Sequence, residues 1–431
     1  MTTLYAPTGL LLECYANRRI PPRLLFELEN CYVSHRIFYA AGPGNVIRAH
    51  QHWRAGENDP TEVSMTFSSQ VEEFCRLTGS SAYIVAYNSQ KNIIHDGKLT
   101  LEHRPKPIPE AAGLLFHLSE LLYGLSLAVT ALKFRSTVAV IESGTTHFFL
   151  GAIYRFAGIK VVTLLHNTLW PRGYPPTRLV PKMVQRLDSW FFRWGSSATI
   201  GVSPECIRQV HELTRGSHYP MYQMRAQFLP ERFEGIGSPP APSDLPFRIM
   251  FIGRVIRAKG VFDILEIARK LDDRAPGRVK FELCGAGPDL NALKERHREL
   301  GLGDNVTIRG WVTLEELRDV YRRSHASIVP TTSGFAEGLA MTAAEAILAG
   351  RPVITNPAVP ALEILRPASV EARTNDVDSY VDAILTLIDS PGRYQSLCEA
   401  CPPLQGQFYD RDQGLTAVLG RVFRLLDQGT N

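Results

Sequence analysis

From Phe247 to Asn356 the chain alternates short apolar runs with helix-period stretches, and this alternation constrains the fold more than any other feature. FRIMFIGRV, VKFELCGAG, VTIRGWV, ASIVPT and RPVITN each read as a buried strand. Between them, KGVFDILEIARKL carries Val261, Ile264, Leu265 and Ala268 at helical spacing, and PDLNALKERHREL, TLEELRDVYRRS and LAMTAAEAILAG read as further helices. Thr313, with Glu316 three residues on, is a capping-box start for one of these helices. Strands apolar on both faces, each followed by a helix, specify a parallel sheet covered on both sides.

The first half repeats the pattern less cleanly. RIFYAAG, SAYIVAYN, VAVIESG, IKVVTLLHN and ATIGVS read as buried strands separated by helix-like stretches. Pro, Gly and Ser dominate EGIGSPPAPSDLP, which reads as a linker. The expected organisation is an α/β chain with one doubly wound, Rossmann-like domain at 1–233, a linker at 234–246 and a second such domain at 247–412. Residues 413–431 hold an amphipathic helix, with Leu415, Val418, Val422 and Leu425 in phase, able to cross back onto the N-terminal domain. Residues 1–34 are the least readable, and IPPRLLFELENCY resembles a helix ahead of the first strand. Two such domains face each other across a cleft, and ligands of such sheets bind outside the carboxyl ends of the strands. The informative residues are therefore those that just follow strands.

Composition narrows the function. A chain of 431 residues is long enough for two domains with separate cores. Net charge is +4, from 47 basic and 43 acidic residues, too balanced to imply a nucleic-acid partner. Among seven scattered cysteines, Cys398 and Cys401 form one C-x-x-C with no second pair to complete a zinc site. Reduced thiols and a cytoplasmic location are expected. MTTLYAPTGLLLECYANRR has no charged region ahead of its apolar patch, so no signal peptide is read there. The nearest approach to a spanning helix, Ala111 to Phe134, is interrupted by Glu120 and its polar neighbours, and its last half reads as a buried helix.

Three stretches after strands carry candidate chemistry. In FIGRVIRAKG, Gly253 allows a tight turn and Arg254 and Lys259 project beyond it. Two cations beside helix-terminal N–H groups suit a diphosphate, the plain alternative being a solvated loop. AGPGNVI, with Gly44, and CGAGPDL, with Gly285, are glycine loops without the third glycine of a dinucleotide fingerprint. NAD and FAD are disfavoured, while either a close backbone approach to a ligand or a simple tight turn stays open. SGFAEGLAMTAAEAILAG places Glu337 in a loop and Glu345 in the following helix, with small residues between them. Glu337 is placed to accept sugar hydroxyls and Glu345 to accept the two hydroxyls of a ribose, near a helix N-terminus. A surface glutamate and an ordinary helix charge are the alternative.

Taken in order, GRVIRAKG and EGLAMTAAEAILAGRPVI resemble the retaining GT-B glycosyltransferases, the sugar-nucleotide-dependent group 1 or family 4-like enzymes. Gly253, Arg254, Lys259, Gly260, Glu337, Glu345, Gly350, Pro352 and Val353 fall on that family's G-R-x4-K-G turn and E-x7-E block. CGAGPDL and IRGWVTLEELRDVY match in order, and the resemblance covers residues 247–400. In the first half VVTLLHN is similar to the family's strand that ends in a histidine near the reaction centre, here His166, and GPGNVIRAH to its glycine loop. By that comparison residues 1–34 are an extension. IESGTT offers Glu142 and His147 on the acceptor side. One departure stands out, because the family commonly has Glu-Gly-Phe-Gly where this chain has Glu337-Gly338-Leu339-Ala340, which puts the donor in question.

The resemblance implies a GT-B fold and a hexosyltransferase-like enzyme. It would move a sugar, with retention, from a nucleoside diphosphate to an acceptor hydroxyl on a glycan, lipid or small molecule, in glycoconjugate, polysaccharide, glycolipid or natural-product synthesis. It implies His166 and Glu337 as catalytic residues, with Gly44, Arg254 and Lys259 on the donor diphosphate. It places Gly285, Val312, Gly338, Leu339, Ala340 and Glu345 around the donor sugar and nucleoside. The nucleotide sugar is the donor substrate and no cofactor is expected. No Asp-x-Asp pair is read as a metal site, so metal independence is expected. Two other classes stay open, an epimerase or phosphorylase-like enzyme on the same scaffold and a non-catalytic nucleotide-sugar-binding protein. PPTRLVPKMVQRLDSWFFRWG sets Arg178, Lys182 and Arg186 beside Val180, Met183, Leu187 and Trp190. It reads either as a core helix, as is common in the family, or as a basic amphipathic helix in peripheral contact with the inner face of a membrane.

Overall fold

The computed structural model describes residues 33–109, 111–217 and 220–429, so the helix read at IPPRLLFELENCY lies outside the described residues. The first sheet contains β1 (Arg36–Ala41), β2 (Ser81–Tyr87), β3 (Asn92–Asp96), β4 (Leu99–Arg104), β5 (Val138–Glu142), β6 (Lys160–Leu165), β7 (Ala198–Gly201) and β8 (Met221–Gln223). Their order is β3-β4-β2-β1-β5-β6-β7-β8, parallel except where β3 runs back along β4. Helices α1 (Val46–Arg54) and α2 (Phe67–Thr78) join β1 to β2. Helices α3 (Gly113–Lys133), α4 (Gly151–Phe156), α5 (Leu179–Trp194) and α6 (Pro204–Thr214) follow β4, β5, β6 and β7 in turn. The strand order advances in opposite directions from β1 to β2 and from β4 onward, so right-handed crossovers put α1 and α2 on one face and α3 to α6 on the other.

The second sheet is wholly parallel, in the order β11-β10-β9-β12-β13-β14. It comprises β9 (Phe247–Ile252), β10 (Val279–Cys284), β11 (Val306–Gly310), β12 (Ala326–Val329), β13 (Val353–Thr355) and β14 (Ser369–Glu371). Between successive strands run α7 (Val261–Arg274), α8 (Leu290–Glu299), α9 (Leu314–Arg323), α10 (Met341–Leu348) and α11 (Ala361–Leu365). The chain closes with α12 (Val377–Asp389), α13 (Pro391–Glu399), α14 (Cys401–Gln405) and α15 (Leu415–Gln428). Every strand and helix read between Phe247 and Asn356 is present, and Thr313 and Glu316 make the reciprocal capping box. The β3–β4 hairpin, β8, β14 and α11 to α14 have no counterpart in the sequence reading.

Two sets of contacts fix the C-terminal helix and the linker. Helix α15 packs on α2, with the Leu415 N–H donating to Gln70 Oε1 at 2.8 Å, Thr416 Oγ1 donating to the Gln70 carbonyl at 3.1 Å and the Phe423 ring 4.8 Å from that of Phe74. Arg351, wholly buried before β13, donates to the carbonyls of Gly237 at 2.8 Å, Arg322 at 3.2 Å and Ser238 and Ser324 at 3.3 Å, which pins the linker to the second domain. Burial lowers this guanidinium to about 10. Helix α5 buries only Phe191 and Phe192, so reading its apolar face as core is corrected: Val180, Met183, Leu187 and Trp190 face solvent.

Strand order reverses between β1 and β5 in the first sheet and between β9 and β12 in the second. At such switch points the loops after adjacent strands diverge and leave a crevice. The sequence stretches at Gly42–Gly44, Glu142, Gly253–Lys259 and Thr331–Glu337 lie at those two crevices.

Candidate active site

On the N-terminal side the organising group is Glu142, the last residue of β5. It accepts the Gly42 N–H at 2.5 Å and the Tyr39 hydroxyl, fixing the glycine turn after β1. Burial, with the carboxylate adding to it, holds the Tyr39 phenol well above its usual range. His166 follows β6, its Nδ1 3.7 Å from Glu142 Oε2 and its ring 6.1 Å from Phe67. Ser143 Oγ accepts the backbone N–H groups of His166 at 3.1 Å and Asn167 at 3.0 Å, so the strand end is held in place. Gly42, Gly44, Glu62, Phe67, Glu142 and His166 line a cavity of about 260 Å³. His147 does not join them. It stacks on His117 and Phe149, and burial together with the neighbouring His117 pushes it down to about 4.

On the C-terminal side Lys259 contacts the Glu337 carboxylate, and Thr331 Oγ1 donates to the same oxygen at 3.0 Å. The Phe335 ring lies 4.5 Å from the Lys259 ammonium and 5.9 Å from the exposed Arg254 guanidinium, within cation–π range of both. Two cations, a carboxylate and an aromatic face thus meet at the β9–β12 switch point. Val312 lies half-buried after β11. A Cβ on Gly285 would lie 1.7 Å from the Gly253 carbonyl oxygen, so the close approach this glycine permits is to the Arg254 turn. Leu339 and Ala340 are buried, and contact with a donor would run through their backbone. Ala340 holds the left-handed conformation, φ +72°, at the N-terminus of α10. A glycine suits that backbone, which is the physical content of the departure from Glu-Gly-Phe-Gly. Glu345 is less open than the sequence suggests. It is buried and accepts the Tyr321 hydroxyl at 2.9 Å. Burial pushes its carboxyl up to about 7, with the Glu62 charge reinforcing and the Tyr321 bond opposing.

The two sides touch at Gly338. A Cβ there would lie 1.7 Å from the His166 carbonyl oxygen and 2.5 Å from its carbon, so the loop after β12 meets the end of β6 backbone to backbone. That contact sets His166 beside the loop that carries Glu337. Farther out, Glu363 of α11 takes Arg172 at 3.2 Å and Arg208 at 2.8 Å across the same interface. Asp-x-Asp triplets do occur at 376–378 and 410–412, and three of their four carboxylates are engaged elsewhere. Asp376 caps α12, Asp378 pairs with Lys270, and Asp410 caps the turn at 411–413. Thr331, Phe335, Tyr321 and Ser143 were absent from the sequence reading. Thr331 and Ser143 carried a signal, each a hydroxyl just past a strand.

Two Rossmann-like domains whose switch-point crevices face one another define a GT-B protein. A sucrose-phosphate synthase from Thermosynechococcus elongatus superposes with a TM-score of 0.66 at 15% identity, covering 92% of this chain and all of that one. Anabaena HepE in complex with UDP gives 0.59 at 14% identity, with the same coverage. These are likenesses of fold. In sequence, the alpha-D-kanosaminyltransferase of Streptomyces kanamyceticus is 22% identical over 283 residues, spanning 62% of this chain and 71% of its own length. Residues 239–401 match the family described as Glycosyl transferases group 1. The match to the group 1 glycosyltransferases thus lies in the C-terminal domain, and the chain is a transferase enzyme.

Proposed function

We propose that this enzyme transfers a sugar from a nucleoside diphosphate to an acceptor hydroxyl with retention at the anomeric carbon and without a metal, in the cytoplasm. The observation that carries the reading is the meeting of Lys259, Arg254 and Glu337 at the β9–β12 switch point, against the His166 strand end. Lys259 and Arg254 supply the positive charge a departing diphosphate needs, in a partly desolvated crevice where such charge acts strongly. Glu337, already held by Thr331, orients the hydroxyls of the donor sugar, and the ligand takes over part of Lys259's pairing. His166, its backbone held by Ser143, sits against the sugar's far side. In a front-side displacement the anomeric carbon's bond to the phosphate oxygen breaks and its bond to the acceptor oxygen forms on the same face. The acceptor proton passes to the departing phosphate oxygen, so Glu337 is not the nucleophile.

The acceptor is assigned to the cavity of about 410 Å³ that shares Ala49, Glu62 and Thr66 with the glycine-loop cavity. HepE's complex with UDP supports a uridine donor, and the free state of the five described cysteines fits a reducing compartment. The test is a thermal-shift screen with UDP-, GDP- and ADP-sugars, since a ligand bound only by the native state raises its stability with concentration. The stabilising donor is then incubated with acceptors, and the product anomer is read by NMR. Transfer with retention is expected. Inversion of the anomer, epimer formation, or stabilisation by none of these donors would overturn the proposal.

A further inference from the structure

We propose that the face of the N-terminal domain formed by α3, α4 and α5 docks on an anionic lipid bilayer. Along α3, Leu114, Leu118, Leu122, Leu125, Val129 and Leu132 recur at helical spacing, and each is between 43% and 76% exposed. They make one unbroken apolar stripe on the outer side of a helix about 30 Å long. The inner side, with Tyr123, Leu127, Ala128 and Ala131, is domain core. Helix α5 repeats the arrangement with Leu179, Met183, Leu187 and Trp190 outward. Both helices pack on the turn at Phe148–Leu150, and α4 lies against α3. Phe156, 76% exposed at the end of α4, contacts Trp194 at 5.3 Å, and Trp194 contacts Trp190 at 4.3 Å, so an aromatic cluster marks the α4–α5 side. Soluble monomers rarely leave so long an apolar surface uncovered.

The charges on this face choose the occupant. Lys133, Arg155, Arg178, Lys182, Arg186 and Arg193 are exposed on or beside the three helices. The two acidic residues of these helices turn inward: Glu120 pairs with Lys106 in the interior, and Asp188 accepts the Phe149 N–H at 2.9 Å. Apolar residues interleaved with cations, beside tryptophans, fit a bilayer interface with anionic headgroups. A second copy across a two-fold axis would set these cations against each other. Residues 1–32 hold three arginines and three glutamates, with no net charge to answer them. Helix α3 is long and apolar enough to cross a membrane, but its inner face and the Glu120–Lys106 pair tie it to the domain, so it lies on the bilayer. Helices α3 and α5 start at the carboxyl ends of β4 and β6, which brings the cleft rim to the lipid surface.

The test is flotation of the full chain with phosphatidylcholine vesicles, alone or with added phosphatidylglycerol. Binding is expected only with the anionic lipid and is lost at high salt. The Leu118→Glu/Leu125→Glu pair abolishes it. Arg178→Gln/Lys182→Gln/Arg186→Gln weakens partition about a hundredfold, since each cation near the surface contributes about a factor of five. Far-UV circular dichroism and the unfolding midpoint establish that these surface variants are folded. No flotation with either lipid, equal flotation on neutral vesicles, or flotation unchanged in the variants overturns the proposal. So does a dimer that the leucine pair breaks, or a lipid-independent crosslink from this face to residues 1–32.

Discussion

Replacing Gly338 by alanine isolates the contact between the domains from everything else the loop does. Gly338 is not among the glycines with positive φ, so its own backbone accepts alanine without strain. The new Cβ would lie 1.7 Å from the His166 carbonyl oxygen, where ordinary contact begins at 3.4 Å, so the loop after β12 must retreat by about 1.7 Å. Neighbouring backbone on the other side is held by Ser143, which leaves little room for the strand end to yield. A displacement on the order of 1 Å between reacting groups costs roughly 10²-fold in rate, about 2.7 kcal/mol of barrier. Nucleotide affinity should hold to within about threefold, because the cations and Glu345 all belong to the C-terminal domain. Steady-state transfer by Gly338→Ala, beside calorimetric titration with the nucleoside diphosphate, separates the two effects. Turnover near that of the parent would refute the idea that this backbone contact sets the geometry of the site. Loss of nucleotide binding in step with turnover would do the same.

Other outcomes follow from the same interior. The Glu345 carboxyl titrates at about 7 when folded, against an ordinary value of 4.5. The stability of its protonated form is therefore fully present below about pH 4.5 and lost as pH rises through about 7. Urea unfolding at pH 5 and pH 8 should show the parent losing about 3 kcal/mol more than Glu345→Gln, and equal losses would refute the assignment. Arg351→Met leaves five carbonyls, two of them in the linker, without this donor and should lower stability by about 3 to 5 kcal/mol, read from the urea midpoint, whereas a cost below about 1 kcal/mol would show that water replaces it. Ala340→Gly relieves a left-handed alanine and should raise the unfolding free energy by about 1 kcal/mol, where a loss would mean that the methyl's packing outweighs the strain.

The second domain was legible because its strands are apolar on both faces, as in FRIMFI and VKFELC, and parallel sheets demand that signature. The β3–β4 hairpin could have been read from Gly97-Lys98, a two-residue turn with glycine first, at φ +57°. After β14, α13 and α14 carry too few residues to show a period, whereas α12 buries Tyr380, Val381, Ile384 and Leu387 at helical spacing and could have been read. At the site, strand-end positions pointed to Gly253, His166 and Glu337. The pairing of Lys259 with Glu337, 78 residues apart, and of Tyr321 with Glu345 depends on tertiary packing that no local pattern encodes. Glu345 shows the limit most clearly, since helical spacing cannot say how deeply a residue in the second turn sits. The apolar face of α5 was visible in sequence, but whether protein covers it was decided only by the fold.

The central claim is that cations of the C-terminal crevice grip a diphosphate while Glu337 grips the sugar. A crystal structure with the stabilising nucleotide sugar tests it most directly. The account predicts phosphate oxygens at about 2.8 Å from Lys259 Nζ and the Arg254 guanidinium, with a sugar hydroxyl on the Glu337 carboxylate. A diphosphate bound away from both cations, or a sugar that leaves Glu337 paired with Lys259 alone, would contradict it.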